Sequence, residues 1–574
     1  MGLARGAAAL YLDDAQNWVL RARIYSQFSV RTLNSQGDTE PVTKAGQLVQ
    51  NRNFYNPELD AKLTPWTNYL RGTFLEVIAP DELTGRLAGW GFYDGVYDYG
   101  AAQFATAASH TNKTFDNFKA RPRRAWFLEG SAFRCPVRAG RNRVCMPALG
   151  KRFESVYDVY PGVAVKSARR EYSNQQRVNE LYLSYSKGPV FIRIGRQAIS
   201  WGESDTIALL DQNNPFDLTL AAPGVFEDLD EARIPLWTLR TSVNLFTTLG
   251  PLSSGFIEGY WVPGDLDTNT GFTPILGASP YSPPGQDPQS FIPPLVNAQF
   301  VLLDRQASKN MDNSRWGVRV QTVVARDYTV SAWFYRTFPN APVPQAQGLA
   351  STTQGNLFTV QTVHKLADVV GVGATFFFEP ADGIVRLNAV GFLKEAAFVA
   401  EQNLSIPKND PSSLQPFTKP GTVPRADFLR WELGFDRFFF LRTLNPSNSF
   451  TLISALVGSW NVTATSTGQD FGYNGQLKPG ATGTSPSDYV GLPTVQAFGQ
   501  FSLQTDYLHG RLTPRLTYIQ YISGTYAVIP AVTYRWRDWL LFGLDVVQVG
   551  GAFQGLGFFG DRGQVSARVT YQLN

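Results

Sequence analysis

From Trp18 onward the chain alternates between apolar and polar positions. Leu20, Ala22, Ile24, Phe28 and Val30 share one parity, whereas Arg21, Arg23, Tyr25, Gln27 and Arg31 share the other. Successive side chains of an extended strand leave opposite faces, so this segment divides an apolar surrounding from a polar one. No helical period interleaves three arginines with this apolar set. The closing stretch 564–574 repeats the pattern, with Val565, Ala567, Val569, Tyr571 and Leu573 opposite Ser566, Arg568, Thr570 and Gln572.

Comparable runs recur at 83–97, 178–186, 190–201, 236–249, 252–263, 316–326, 328–338, 358–378, 384–398, 426–435 and 450–462. They continue at 499–508, 511–522, 526–535 and 539–549. With one more strand placed in the weak segment 59–79, the pattern predicts about 18 strands, or about 16 if a pair is misread. Tight connections such as Lys187-Gly188-Pro189, Gly250-Pro251, His509-Gly510 and Arg537-Asp538 alternate with long stretches rich in Pro, Gly, Ser and Asn. The long stretches are 33–57, 98–177, 203–233, 264–314, 337–356, 401–425 and 463–492. Short turns on one side and long loops on the other are the arrangement of a transmembrane antiparallel β-barrel. The chain therefore reads as one all-β barrel over 18–574, preceded by a segment 1–17 that reads as the remnant of a secretion signal. A barrel of this width has room for an aqueous lumen unless loops fold in to fill it.

Composition agrees with that picture. Charged residues are 17% of the 574 and aromatics 13%, with 24 Tyr and 13 Trp to supply interfacial girdles. No apolar run reaches the length of a membrane-spanning helix, because only one face of each strand needs to be apolar. The net charge of +4 points to no strongly acidic or basic partner, and no basic cluster interleaved with aromatics suggests nucleic acid. Cys135 and Cys145, the two cysteines, sit close together in loop 98–177, which predicts a disulfide closing a small loop.

The most specific string is RIGRQAISWGESDTIALLDQNNPFD, from Arg193 to Asp217. Its Gly195-Arg196-Gln197, Ser200-Trp201-Gly202-Glu203-Ser204 and Asn214-Pro215-Phe216-Asp217 resemble the signature of proteobacterial outer-membrane proteins known as domain of unknown function 1302. Gly434-Phe435-Asp436-Arg437 with Leu444-Asn445-Pro446, and the stretch from Pro514 to Tyr534, are similar to the same family. The resemblance spans most of the chain and implies an outer-membrane channel. Members often stand beside inner-membrane exporters, which implies traffic in lipids or other hydrophobic compounds with a periplasmic or inner-membrane transporter as partner. Outer-membrane lipids and the barrel-assembly machinery are further expected partners. Such barrels usually end on Phe, and here the chain ends on Asn574 after Leu573.

Read from the residues themselves, Arg196, Gln197, Trp201, Glu203 and Asp217 gather where a strand enters a long loop. They would form either a charge-paired network bracing that loop or a charged constriction that selects solutes. The lumen-parity cations Arg21, Arg23, Arg31 and Arg319 would favour anionic solutes, or would pair with lumen acids such as Glu180, Glu432 or Asp545 and stiffen the wall. Catalysis has little to draw on: His110, His364 and His509 are the three histidines, and no serine, CxxC or HExxH motif accompanies them. No cofactor or metal is expected. Three functions follow as alternatives: a conduit for lipids or hydrophobic small molecules, a plugged barrel serving as scaffold in an envelope complex, and a general porin for small polar or weakly anionic solutes.

Overall fold

The computed structural model describes the chain outside residues 1–9, 35–42, 101–136, 140–141, 145–162, 165–172, 202–210, 221, 272–280, 282–297, 306, 341–342, 353–354, 404–420, 468–472, 478–488, 492, 553–554 and 574. Cys135 and Cys145 lie outside the described residues, and so do Glu203 and His110.

Eighteen strands form the wall. They are β1 Trp18–Arg31, β2 Leu48–Lys62, β3 Glu82–Asp94, β4 Asn174–Lys187, β5 Val190–Gln197 and β6 Leu236–Leu249. Next come β7 Leu252–Val262, β8 Arg315–Val324, β9 Tyr328–Thr337, β10 Ala367–Phe378, β11 Gly383–Ala396 and β12 Arg425–Phe439. The last six are β13 Phe450–Asn461, β14 Val495–Thr505, β15 Leu512–Tyr521, β16 Tyr526–Arg537, β17 Leu540–Gly550 and β18 Gln564–Leu573. Each pairs antiparallel with its sequence neighbours, and β1 pairs β18 from Ala22↔Leu573 to Arg31↔Gln564, which closes the ring. A two-residue strand, Leu10–Tyr11, extends the β18 side of β1. Closure leaves no unpaired edge, the condition for a sheet to stand in lipid.

Ile24, Phe28, Leu181, Leu183, Val370, Val372, Leu516 and Val569 face outward and are exposed, while Tyr25, Gln27, Ser29 and Arg31 face inward and are buried. Bulky rings lie over cross-strand glycines where the pleat would otherwise be bare: Trp333 covers Gly371 and Trp431 covers Gly458. Both ends of the barrel chain fall on the side of the short turns.

Two stretches differ from the sequence pattern in the wall, and strands Ala298–Arg305 and Val343–Thr352 form inside 264–314 and 337–356, which that pattern reads as loops. The segment 48–62, expected as loop up to residue 57, is strand β2, and residues 64–78 beyond it are two 3-10 turns rather than strand. The outward set of β2 is Asn51, Asn53, Tyr55, Pro57, Leu59 and Ala61, and two asparagines in it erased the alternation. Pairing rescues them: Ser26 donates to Asn53 Oδ1 at 2.9 Å, and Asn53 Nδ2 reaches the Asn51 carbonyl at 3.3 Å. The run 358–378 is likewise two elements. Strand Gly355–Val363 pairs with Val343–Thr352 and Ala298–Arg305 in a separate sheet, and only Ala367–Phe378 belongs to the barrel.

Candidate functional site: a docked loop inside the barrel

The site begins where β5 ends. Gly195 adopts φ +132 because a Cβ there would strike the Leu181 carbonyl of β4, so glycine is required at this close approach. Gln197 Nε2 then donates to the Thr238 carbonyl at 3.1 Å and ties β5 to β6. From there the chain leaves the wall and turns back into the lumen.

Asn214 to Asp217 form the neck of this excursion. Asn214 Oδ1 accepts from the Ile199 amide at 2.7 Å, and Asn214 Nδ2 donates to the Ile234 carbonyl at 3.0 Å. The Asp217 amide donates to the Ala232 carbonyl at 2.7 Å, and Asp217 Oδ1 accepts from the Thr219 amide at 3.0 Å. Outgoing and returning backbone are thus stitched together. Trp201 packs edge-on against Tyr260 (5.0 Å between ring centroids) and donates its indole N–H to Glu258. Glu258 also accepts from Arg240 at 2.6 Å and lies 3.6 Å from Arg319.

Beyond the neck, the loop presents two faces, one acidic and one apolar. Its acidic face meets β1, β2 and β18. Arg23 contacts Glu231 at 2.7 Å, Arg52 pairs with Glu227, and the Tyr25 hydroxyl donates to Glu231 at 2.7 Å. Arg568 lies over the Tyr25 ring at 4.3 Å, and Arg177 stacks on Trp90 at 3.8 Å while donating to the Glu231 carbonyl at 3.0 Å. Asp228 caps the helical turn Leu229–Ala232 that aims Glu231 at the wall. Burial first, and the neighbouring Glu227 carboxylate second, push the Glu231 pKa above its ordinary value.

The apolar face carries Val225 and Phe226. These pack against inward-facing Val457, Phe498, Ile519, Ala527, Ile529, Val547 and Val549 of β13–β17. Phe226 stands 5.4 Å from Phe559 of the β17–β18 connection. An inward wall this apolar is unlike the polar lining of an open aqueous barrel.

Burial shows where the lumen is filled. Ser29, Ile519, Ala527, Val549 and Val390 face inward toward the loop side at 0% exposure, which an open pore of this width would not allow. On the turn side, Arg86 bridges Glu58, Asp60 and Glu180 (2.8, 3.1 and 2.6 Å) and Arg21 meets Asp60 at 3.0 Å. These groups remain partly exposed, so they line a wetted vestibule beneath the docked loop.

Of the residues singled out from sequence, Trp201 and Arg319 come together on Glu258, whereas Asp217 serves the neck and Gln197 the β5–β6 seam. Arg196 stands opposite Trp237 in the β5–β6 pairing. The lumen arginines do meet acids, but different ones from those expected: Asp60 for Arg21, Glu231 for Arg23 and Glu258 for Arg319. Arg31 donates to the Arg562 carbonyl at 2.5 Å. Glu180, Glu432 and Asp545 are taken by other partners, Glu180 by Arg86 and Glu432 by Asn388. Glu227, Glu231, Arg52 and Arg568 were missed; the acidic run Glu227-Asp228-Leu229-Asp230-Glu231 in a loop facing cationic strands was the available signal. Among the described residues no group of His, Cys, Asp or Glu could hold a metal ion, and His509 sits in the β14–β15 turn.

A family model matches residues 3–573 and is described as protein of unknown function DUF1302. The chain belongs to this DUF1302 family. No curated protein matches it. Solved structures similar to this DUF1302 chain include Salmonella typhi OmpF in complex with daunomycin, at 10% identity, TM-score 0.35 and 97% coverage of both chains. Pseudomonas aeruginosa OpdK with vanillate is similar at 6% identity and TM-score 0.40, covering 97% of this chain and 98% of that one. Wzi, an outer-membrane carbohydrate-binding barrel involved in capsule assembly in Escherichia coli, is similar at 8% identity and TM-score 0.38, over 96% and 83%.

Proposed function

We propose that this DUF1302 protein is an outer-membrane conduit for lipids or other hydrophobic small molecules, closed at rest by the docked 211–235 loop. One observation supports this most: the apolar inward wall of β13–β17, covered by Val225 and Phe226. A solute leaving water gains roughly 25 cal/mol for each Å² of apolar surface it buries, so undocking the loop would bare a surface suited to apolar cargo. The acidic face of the same loop, held by Arg23 and Arg52, is the latch. The chain contains no nucleotide-binding motif, so movement would follow a gradient or be driven by a periplasmic or inner-membrane partner.

The test is current across a planar bilayer holding the purified protein, paired with entry of a hydrophobic fluorescent probe into proteoliposomes. Near-silent current with protein-dependent probe entry supports the conduit. Steady, salt-proportional current would instead indicate a general porin. Silence in both assays would indicate a scaffold, a second reading favoured by the full burial of inward residues such as Ser29, Ile519 and Val549 on the loop side.

A further inference from the structure

Most turns on the turn side are short, as at Gly250-Pro251 between β6 and β7. The β2–β3 connection is not. It holds two 3-10 segments, Thr64–Leu70 and Phe74–Ile78, which expose Trp66, Tyr69, Phe74, Val77 and Ile78, with Phe74 at 89% and Val77 at 79%. Contiguous exposed apolar groups of this size need a cover.

The connection is built rather than loose. The Thr73 hydroxyl caps the Leu75 amide at 3.1 Å, and Glu76 accepts from the Gly72 amide at 3.1 Å. Lys187 Nζ donates to the Glu76 and Ala79 carbonyls, both at 2.6 Å, and the Tyr185 hydroxyl donates to the Ile78 carbonyl at 3.0 Å. Tyr185 and Lys187 share strand parity with Leu181 and Leu183, the outward, lipid-facing set of β4. Trp66 lies 5.9 Å from Trp18, which has the outward parity of Ile24 on β1. The whole element is therefore clamped to the outside of the wall at its turn-side rim. Its exposed rings continue the apolar belt instead of facing the lumen mouth.

We propose that residues 64–78 form a foot that inserts into the membrane leaflet on the turn side and binds phospholipid there. Aromatic and aliphatic groups held at the rim of an apolar belt sit at the boundary between headgroups and acyl chains, where an amphipathic ring is most stable. Continuity with the belt decides for lipid over a periplasmic protein, since a protein covering these residues would itself have to lie in the bilayer surface. The inference is independent of what the lumen transports.

The test uses the full chain in phospholipid vesicles, with Cys135→Ser and Cys145→Ser, and an environment-sensitive fluorophore attached at Phe74→Cys. Asp327→Cys, in the exposed β8–β9 turn, is the aqueous reference. Folding of every variant is verified by heat-modifiable migration. At position 74, lipids brominated on their acyl chains should quench roughly threefold more than at position 327, with aqueous iodide showing the reverse order. A second probe at Val77→Cys should behave as position 74 does. Iodide quenching at both foot positions without bromolipid quenching would overturn the proposal and leave the patch to a protein partner.

Discussion

Arg52 of β2 and Glu227 of the docked loop form an ion pair in which both side chains are nearly excluded from water, at 5% and 2% exposure. Breaking such a pair from one side leaves a buried charge uncompensated, at a cost of about 3–5 kcal/mol. Glu227→Gln should therefore undock the loop and turn a near-silent bilayer into one with intermittent openings. The double change Arg52→Met with Glu227→Leu removes both charges and should lie closer to the unaltered protein than either single change. Open probability in single-channel records distinguishes these outcomes.

The latch should also respond to pH through Glu231. Its docked pKa lies above the ordinary value of 4.5, because burial and then Glu227 disfavour the charged form despite Arg23. A group that holds its proton more tightly when docked stabilises the docked state fully below its free pKa, and that contribution fades as pH rises toward the raised value. The loop should hold tightest in acid and loosen toward alkaline pH. Open probability measured from about pH 5 to about pH 8 should rise, and Glu231→Gln should flatten the curve.

Glu258 collects Trp201, Arg240 and Arg319 beneath the loop neck. Removing its charge strands two guanidinium groups, so Glu258→Gln should lose about 3 kcal/mol against urea unfolding in lipid. Trp201→Phe loses a hydrogen bond and some packing, about 1–3 kcal/mol. The double variant should lose less than the sum of the two, because both changes remove the same contact.

Gly195→Ala tests the entry to the loop. Its φ of +132 and the Leu181 carbonyl leave no room for a methyl group, so the β4–β5 pairing must shift. A strain of about 1–3 kcal/mol is expected at such a site. The readout is a reduced folded fraction by heat-modifiable migration, whereas Gly188→Ala, at an open turn with nothing near its Cβ position, should cost less.

The ring of strands was legible because period-two alternation is imposed residue by residue by the lipid and the lumen. That local rule identified β1 from Arg21, Arg23 and their apolar neighbours, and β18 from Val565 to Leu573. It faltered at β2, where Asn51 and Asn53 take outward positions and Asn53 finds a hydrogen bond from Ser26 of the neighbouring strand. It also joined Gly355–Val363 to Ala367–Phe378, since alternation does not reveal which sheet a strand will pair with.

The sequence by itself determined a two-faced wall of about 18 strands and the family motif at the end of β5. Only the tertiary structure decided what fills it. Glu227 and Glu231 lie about two hundred residues from Arg23, Tyr25 and Arg52 along the chain, and the apolar wall of β13–β17 is further still. Those contacts form because closing the ring carries β1, β18 and the 211–235 loop to one lumen, where charge and apolar surface must each find a partner away from water.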